Sequence, residues 1–318
     1  MWLLERLYGT GDQPVPRFAV QSTANWMRAL ALTCQDSGFS HAELKAKYSS
    51  VPRRATNTDA DTLVFECLLM SMNYVCSVGA LAQSTNAYDS IKPAIVSWYY
   101  AVYYSSKAMI AASTGSDPQT HAKTARVWQA DLVSRNLVQK PFDLFVTDLT
   151  PSNIKATIQS LRAGNQHALV EKPTDIIEAW GAICGYLSGT SDHEKWKIEK
   201  RLKSSSEFKN GGYANFRTHA AKALRDNKLV PATTNFLTQA SRYRGKANYR
   251  DAIYLSYGAS FESALLQCTK DLEFVSLSFT EMAAHYVAKR VDKDDWVEFC
   301  KDINKNAKFN LPFDLTKI

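Results

Sequence analysis

The residues best suited to chemistry lie in one cation-rich segment, TTNFLTQASRYRGKANYRDAIYLSYG at 233–258. If this segment is helical, Arg242, Lys246 and Tyr249 share one face, because side chains three or four positions apart lie on one side of a helix. Guanidinium groups on such a face suit phosphate oxygens, which they bind through paired donors. The residues predicted to bind nucleic acid or to hold the structure together are Arg242, Arg244, Lys246, Tyr249, Arg250 and Asp251.

The opposite side of the same predicted helix is apolar. Its members recur at helical spacing and are Phe236, Ala240, Tyr243, Ala247 and Tyr254. Asp251 follows Arg250 directly and can bridge to a neighbouring helix. Two interpretations therefore stay open. The cations bind phosphate, or an internal network of Arg, Asp and Tyr side chains holds a helical bundle in register.

Motifs of the common catalytic classes are absent from the sequence. No GxxxxGK[ST] loop and no HExxH pair occurs. GYLSG at 185–189 has the spacing GxxSG instead of the GxSxG of a nucleophile elbow, and we expect it to end a helix. The six cysteines form no CxxC pair and no His lies at ligand spacing from them, so we expect buried free thiols, no metal site and no cofactor.

The chain of 318 residues is basic, with 38 Lys and Arg against 31 Asp and Glu and a formal charge of +7 at pH 7. This sign suits a polyanionic partner such as RNA, although many proteins without such a partner carry it.

The most apolar stretch, 63–82, is interrupted by Glu66 and Asn73, and an ionised side chain in hydrocarbon costs roughly 2.5–3.5 kcal/mol. The opening MWLLERLYGTGD is too short an apolar stretch for a secretory signal. We therefore expect no membrane segment and a cytoplasmic protein.

Hydrophobic periodicity predicts an all-α fold, a multi-helix bundle in a single domain over 1–318. The aromatic run SWYYAVYYSSKAM at 97–109 is apolar on all sides, which predicts a helix inside the core with Trp98 and Tyr103 buried. Ser191 and Glu194 have the spacing of a capping box, which predicts that a separate helix begins there. The polar segment SSSEFKNGG at 204–212 predicts a flexible break. Residues 141–149 predict a strand or a buried connector. The helices are expected at 22–35, 58–83, 88–113, 118–136, 148–162, 173–189, 192–205, 213–227, 233–257, 260–289 and 293–304.

Two segments resemble HEPN domains, helical bundles common in prokaryotic toxin–antitoxin and antiviral systems. AIVSWYYAVYYSSKAMIAASTG at 94–115, followed by THAKTARVW, is similar to their second helix, and SRYRGKANYRDAIYL at 241–255 is similar to their last one. The resemblance implies a HEPN-like core at 58–135 and 233–289, with a helical insertion at 136–232. It also implies a homo-oligomer and metal-independent cleavage of RNA.

In that family the catalytic pattern is an Arg, four to six residues, and then a His. The His moves a proton at the 2′-hydroxyl or the leaving oxygen, and the Arg offsets charge on the phosphorane. In the matching helix no His follows an Arg at this spacing, whereas RAGNQH, outside the matching segments, pairs Arg162 with His167. Arg162 and His167 are therefore the predicted catalytic pair, and His121 is expected to be a surface histidine of its helix.

Two functions are consistent with the sequence. One is a HEPN-like endoribonuclease of a defence or toxin system, acting on single-stranded RNA. The other is a non-catalytic helical subunit that binds a protein partner of a defence complex, or nucleic acid, through its basic face. The absence of a His in the last helix favours the second function, and the helix resemblance favours the first.

Overall fold

The computed structural model describes residues 2–8, 16–36, 38–248, 250–257 and 260–318. Within them the fold is all-α, as predicted, with two short strands. The helices are α1 (Trp2–Tyr8), α2 (Pro16–Asp36), α3 (His41–Lys47), α4 (Thr58–Ala82), α5 (Ala87–Thr114), α6 (His121–Asp131), α7 (Pro151–Arg162), α8 (Ile176–Ser204), α9 (Ser206–Asn210), α10 (His219–Leu229), α11 (Phe236–Asn248), α12 (Glu262–Arg290) and α13 (Lys293–Asn306). The strands are β1 (Phe145–Thr147) and β2 (Thr233–Asn235).

The aromatic run lies in the middle of α5, which packs against α4 and α12. Asn86 begins this helix, because its side chain accepts a hydrogen bond from the Tyr88 amide at 3.0 Å. Gly115 ends it with a φ of 73°, a conformation that glycine adopts without steric cost. Trp98 is fully buried, as predicted, whereas Tyr103 is only half-buried.

Buried hydroxyl groups connect these three central helices. Ser71 Oγ of α4 lies 2.6 Å from Ser105 Oγ of α5 and 2.9 Å from Thr280 Oγ1 of α12. The hydroxyls of Ser105 and Thr280 are 3.1 Å apart. Because a hydroxyl both donates and accepts, the three groups satisfy one another inside an apolar environment and fix how the helices align.

By length and composition, α4 is the one helix of the described residues that is long and apolar enough to cross a membrane. This is weak evidence, because a core helix of a soluble protein passes the same test. Here Val64, Leu68 and Met72 of α4 belong to the hydrophobic cluster that also contains the buried side chains of α5 and α12. The absence of a membrane segment stays a prediction.

The segment expected to be an insertion, 136–232, contributes to the same hydrophobic cluster as the residues on either side of it. Phe142 and Leu187 are members of that cluster. Helix α8 packs along α2, where the rings of Tyr186 and Trp26 stack with centroids 4.0 Å apart. The core is therefore continuous across both expected boundaries of the insertion.

The two strands form an antiparallel pair in which Val146 lies opposite Thr234. A strand within 141–149 was one of the two alternatives for that segment, and it is present. The prediction of helix throughout 233–257 is wrong, since β2 precedes α11 and a 3-10 helix, Arg250–Leu255, follows it. Asn235 joins β2 to α11, because its side-chain oxygen accepts from the Thr238 amide at 3.1 Å while its amide donates to Ala125 O at 2.7 Å.

Helix α8 runs without interruption through the residues where two helices were expected. Ser191 is buried and donates to Leu187 O at 2.9 Å, so it does not cap a new helix. The GYLSG motif likewise lies inside α8 and does not end it. Both predictions were wrong because Ser can satisfy its hydroxyl on the preceding turn and remain within a helix.

The expected flexible break at 204–212 contains the short helix α9. Ser205 begins α9 by accepting a hydrogen bond from the Phe208 amide at 3.3 Å. Phe208 is buried, with its ring centroid 5.1 Å from that of Phe216. The segment is therefore locally ordered by a helix cap and by the contact of Phe208 with an aromatic ring eight positions later.

Candidate functional site

A cleft of about 1060 Å³ lies between α6, α8 and α11 and is bordered by the residues around β2. Among the described residues, six cationic side chains line it but a single carboxylate, Glu194, which pairs with Lys197 at 3.0 Å. Two histidines, His121 and His193, also line it. The cationic residues are Arg126, Lys197, Arg201, Arg242, Arg244 and Lys246. Such an excess of positive charge in a concave surface attracts anions.

The amphipathic pattern of α11 places three of these cations. Ala240, Tyr243 and Ala247 are buried, as the predicted apolar stripe requires, so the intervening Arg242, Arg244 and Lys246 reach the cleft. Of the predicted site residues, Arg242, Arg244 and Lys246 therefore lie together in this cleft. Tyr249 and the side chains of Arg250 and Asp251 lie outside the described part of the chain.

Contacts with α2 and α8 hold two of the cations in place. Arg242 donates to Thr190 Oγ1 at 3.1 Å, and Lys246 donates to Ser22 Oγ at 3.1 Å. Both cationic groups lie over the ring of Tyr186, at 5.8 and 5.3 Å from its centroid. No described carboxylate forms an ion pair with Arg242. Its positive charge is therefore held in position without an ion pair to any carboxylate in the described part of the chain.

Arg244 points to the other side of α11, where it meets His121 at the first turn of α6. Its Nη1 lies 3.4 Å from His121 Nε2, and its guanidinium lies 4.7 Å from the ring centroid of Tyr99. The Tyr99 hydroxyl lies 2.7 Å from His121 Nδ1. The ring of Tyr103 packs on the same imidazole, with centroids 4.7 Å apart.

These contacts define the chemical state of His121. Burial and the Arg244 charge lower the pKa of His121, so its imidazole is neutral at pH 7. A guanidinium only donates, so Nε2 accepts and the ring proton is assigned to Nδ1, which donates to the Tyr99 hydroxyl. Burial raises the pKa of Tyr99, which keeps the phenol protonated. The site thus contains a neutral imidazole, the form that acts as a general base, whose Nε2 lone pair is in contact with Arg244.

The predicted catalytic pair, Arg162 and His167, lies elsewhere, at the loop that joins α7 to α8. Arg162 Nη1 donates to the backbone carbonyls of Asn165 and His167 at 3.0 and 3.1 Å. His167 Nε2 lies 3.1 Å from the backbone oxygen of Glu171. The two residues are in contact, but these hydrogen bonds hold the loop, which favours a structural role for both. Their participation in catalysis stays a prediction.

Sequence reasoning missed half of the cleft. His121 was expected on the surface of its helix, but it is half-buried against Tyr99 and Tyr103. Lys197 and Arg201 of the segment 192–205, four positions apart, also line the cleft and were not among the predicted site residues. The sequence does show these cations and histidines at helical spacing. It does not show which helices face one another, so the cleft that they form could not be predicted.

Within the described residues, no group of three or more His, Cys, Asp and Glu side chains is arranged to hold a metal ion. Comparison with known protein families, with curated proteins and with solved structures found no match to this chain. The interpretation of the cleft therefore depends on its own chemistry.

Proposed function

We propose that this chain is a HEPN-like endoribonuclease of a prokaryotic defence or toxin system, which cleaves RNA in the cleft between α6, α8 and α11 without a metal ion. The observation that supports it most directly is the contact of Arg244 with the neutral imidazole of His121 in a cation-rich cleft. An arginine and a histidine are the two residue types that the resemblance implies. They come from different helices here, so the spacing of the family's motif does not apply.

The proposed chemistry begins at the ribose next to the scissile phosphate. His121 Nε2 takes the proton of the 2′-hydroxyl, and the 2′-oxygen attacks the adjacent phosphorus. The bond from phosphorus to the 5′-oxygen of the next nucleotide breaks, leaving a 2′,3′-cyclic phosphate and a 5′-hydroxyl. The departing oxygen takes its proton from water or from His193, which lines the same cleft.

Arg244 and Arg242 would stabilise the charge that develops on the phosphorane. Electrostatic stabilisation by fixed donors is commonly the largest contribution to such reactions. Arg244 lines the cleft and forms no ion pair with a described carboxylate, so this guanidinium has donor capacity that a phosphate oxygen can satisfy. Its contact with His121, at 3.4 Å, is long for a hydrogen bond and is weak enough to exchange for a phosphate.

A second candidate function is a non-catalytic subunit that binds nucleic acid in the same cleft. The observation that favours it is that Arg244 occupies the Nε2 lone pair which a general base needs. In this case RNA is bound and released intact, and His121 only helps to shape the cleft.

Incubation of the purified protein with end-labelled single-stranded RNA in excess EDTA tests the proposal. We expect products ending in a 2′,3′-cyclic phosphate, and we expect a DNA oligonucleotide of the same sequence to survive, because it lacks the attacking hydroxyl. His121→Ala should lower the cleavage rate by about 10²–10⁴-fold, the usual contribution of a general base. Arg244→Ala should lower it by at least about 10²-fold.

His219→Ala is the matched control, since His219 is an exposed histidine at the same first-turn position of a helix, α10, and does not line the cleft. It should cleave RNA at the parental rate. Tight binding of RNA with no cleavage by the parent protein would favour the non-catalytic subunit. Equal losses in His219→Ala and His121→Ala would contradict the assignment of His121.

A further inference from the structure

Trp196 of α8 is unusual among the tryptophans of the described residues, because 51% of it is exposed while its ring contacts His193, which lines the cleft. Trp26, Trp98 and Trp128 are fully buried. Trp2, at 67%, is the other strongly exposed tryptophan among the residues described, and it lies on α1, a helix that contributes no residue to the lining of the cleft.

The position of Trp196 follows from the helical spacing of α8. His193 and Lys197, which line the cleft, lie three positions before it and one position after it. The imidazole of His193 is stacked on the indole, with centroids 5.6 Å apart and an angle of 23° between the rings. Trp196 is therefore not itself a lining residue of the cleft, but it is in direct contact with one, His193.

The surroundings of Trp196 are positively charged. Lys200 Nζ lies 5.1 Å from the indole centroid. Lys195 and Lys197 are compensated by Asp192 and Glu194, but no described carboxylate pairs with Lys200 or Arg201. Aromatic rings exposed beside cations are the two components of surfaces that bind single-stranded nucleic acid, in which the bases stack on the rings and the phosphates contact the cations.

We propose that Trp196 is a base-stacking site for an unpaired nucleobase of an RNA strand whose phosphates lie in the cleft. The inference depends on the proposed function for the identity of the strand. Duplex RNA is excluded as the occupant, because its base faces are covered by their neighbours and only an unstacked base presents a face to the indole. The site adds a preference for single strands, since phosphate contacts alone carry no such preference.

The test uses the full chain and a single-stranded RNA oligonucleotide with 2′-O-methyl riboses, which cannot be cleaved by the proposed reaction. Trp196→Ala should weaken its binding roughly tenfold, as measured by fluorescence anisotropy, because stacking of one base contributes on that order. Trp196→Phe should retain most of the affinity. The bound RNA should also protect tryptophan emission from acrylamide quenching, and this protection should be lost in Trp196→Ala.

Two controls isolate stacking from charge and from folding. Trp2→Ala removes an exposed tryptophan that also lies beside a cation, Arg6 at 4.8 Å, but is outside the cleft, and it should bind as the parent does. An oligonucleotide with abasic sites keeps its phosphates, so the parent and Trp196→Ala should bind it equally.

The outcomes distinguish this inference from the proposed function. Binding that depends on Trp196 without any cleavage of natural RNA would support the stacking site and contradict the nuclease. Cleavage and binding that are unchanged in Trp196→Ala would overturn the stacking site alone. The absence of RNA binding by the parent would overturn both. If Trp196→Ala instead alters the oligomeric state in gel filtration, Trp196 is a protein contact and the inference is wrong.

Discussion

At the scale of single residues, the Tyr99 hydroxyl and the Arg244 guanidinium contact the two ring nitrogens of His121 from different helices. Tyr99 fixes the orientation of the ring, and Arg244 disfavours its protonated form by placing a like charge beside it. A histidine in this environment remains neutral at a pH where an exposed one is partly charged, so it is available as a base. In the proposed reaction, the same guanidinium is close to the position where negative charge develops.

The pH dependence of cleavage should report this environment. The base is active when neutral, so the rate should rise with pH and level off, with a midpoint below the ordinary value of 6.5 because the pKa of His121 is lowered. Arg244→Gln removes the charge and retains a donor, so the pKa of His121 should rise and the midpoint should move up. Rate profiles, with NMR titration of the His121 ring, measure both quantities.

Lys228→Gln is the control for that profile, because it removes a charge from α10 at a position that does not line the cleft. Its midpoint should equal that of the parent. A parental midpoint at or above 6.5, or a midpoint that Arg244→Gln does not raise, would contradict the described environment of His121.

At the scale of elements, the sequence predicts α4 and α5 well because their signals are local, whereas it divides α8 into two helices. The expected helices 58–83 and 88–113 match α4 and α5 to within a residue at each end, since side-chain caps and a glycine mark their limits. The short strand β2 was missed because its partner β1 lies almost ninety residues earlier, a pairing that no local pattern shows. The contact of His121 with Arg244 was missed for the same reason, as 123 positions separate them.

Trp98 shows how strongly a single element depends on its buried face. Its ring contacts those of Trp26 and Tyr243, at centroid distances of 5.9 and 5.3 Å, so it connects α5 to α2 and α11. Trp98→Ala should lower the free energy of unfolding by about 3–5 kcal/mol, because a cavity remains where the ring was. Trp98→Phe keeps most of the packing and should cost less. Urea denaturation measures both, and an unchanged stability in Trp98→Ala would refute its place in the core.

At the scale of the whole molecule, the formal charge of +7 is less informative than its distribution. Many cations outside the cleft are compensated locally, such as Lys301 by Glu298 at 2.7 Å and Arg54 by Asp61. Among the described residues that line the cleft, six are cations and one is a carboxylate. The fold concentrates cations at this site because α11 turns its apolar stripe to the core and Lys197 and Arg201 of α8 line the same cleft.

The salt dependence of RNA binding separates this local concentration from the overall charge. Each phosphate contact releases counterions, so the logarithm of the affinity falls with the logarithm of the salt concentration, with a slope set by the number of contacts. Arg242→Ala should reduce the magnitude of that slope by about 1. Lys301→Ala changes the net charge equally but lies on α13, outside the cleft, and should leave the slope unchanged. Equal changes in the two variants would mean that net charge governs the binding and that the cleft does not.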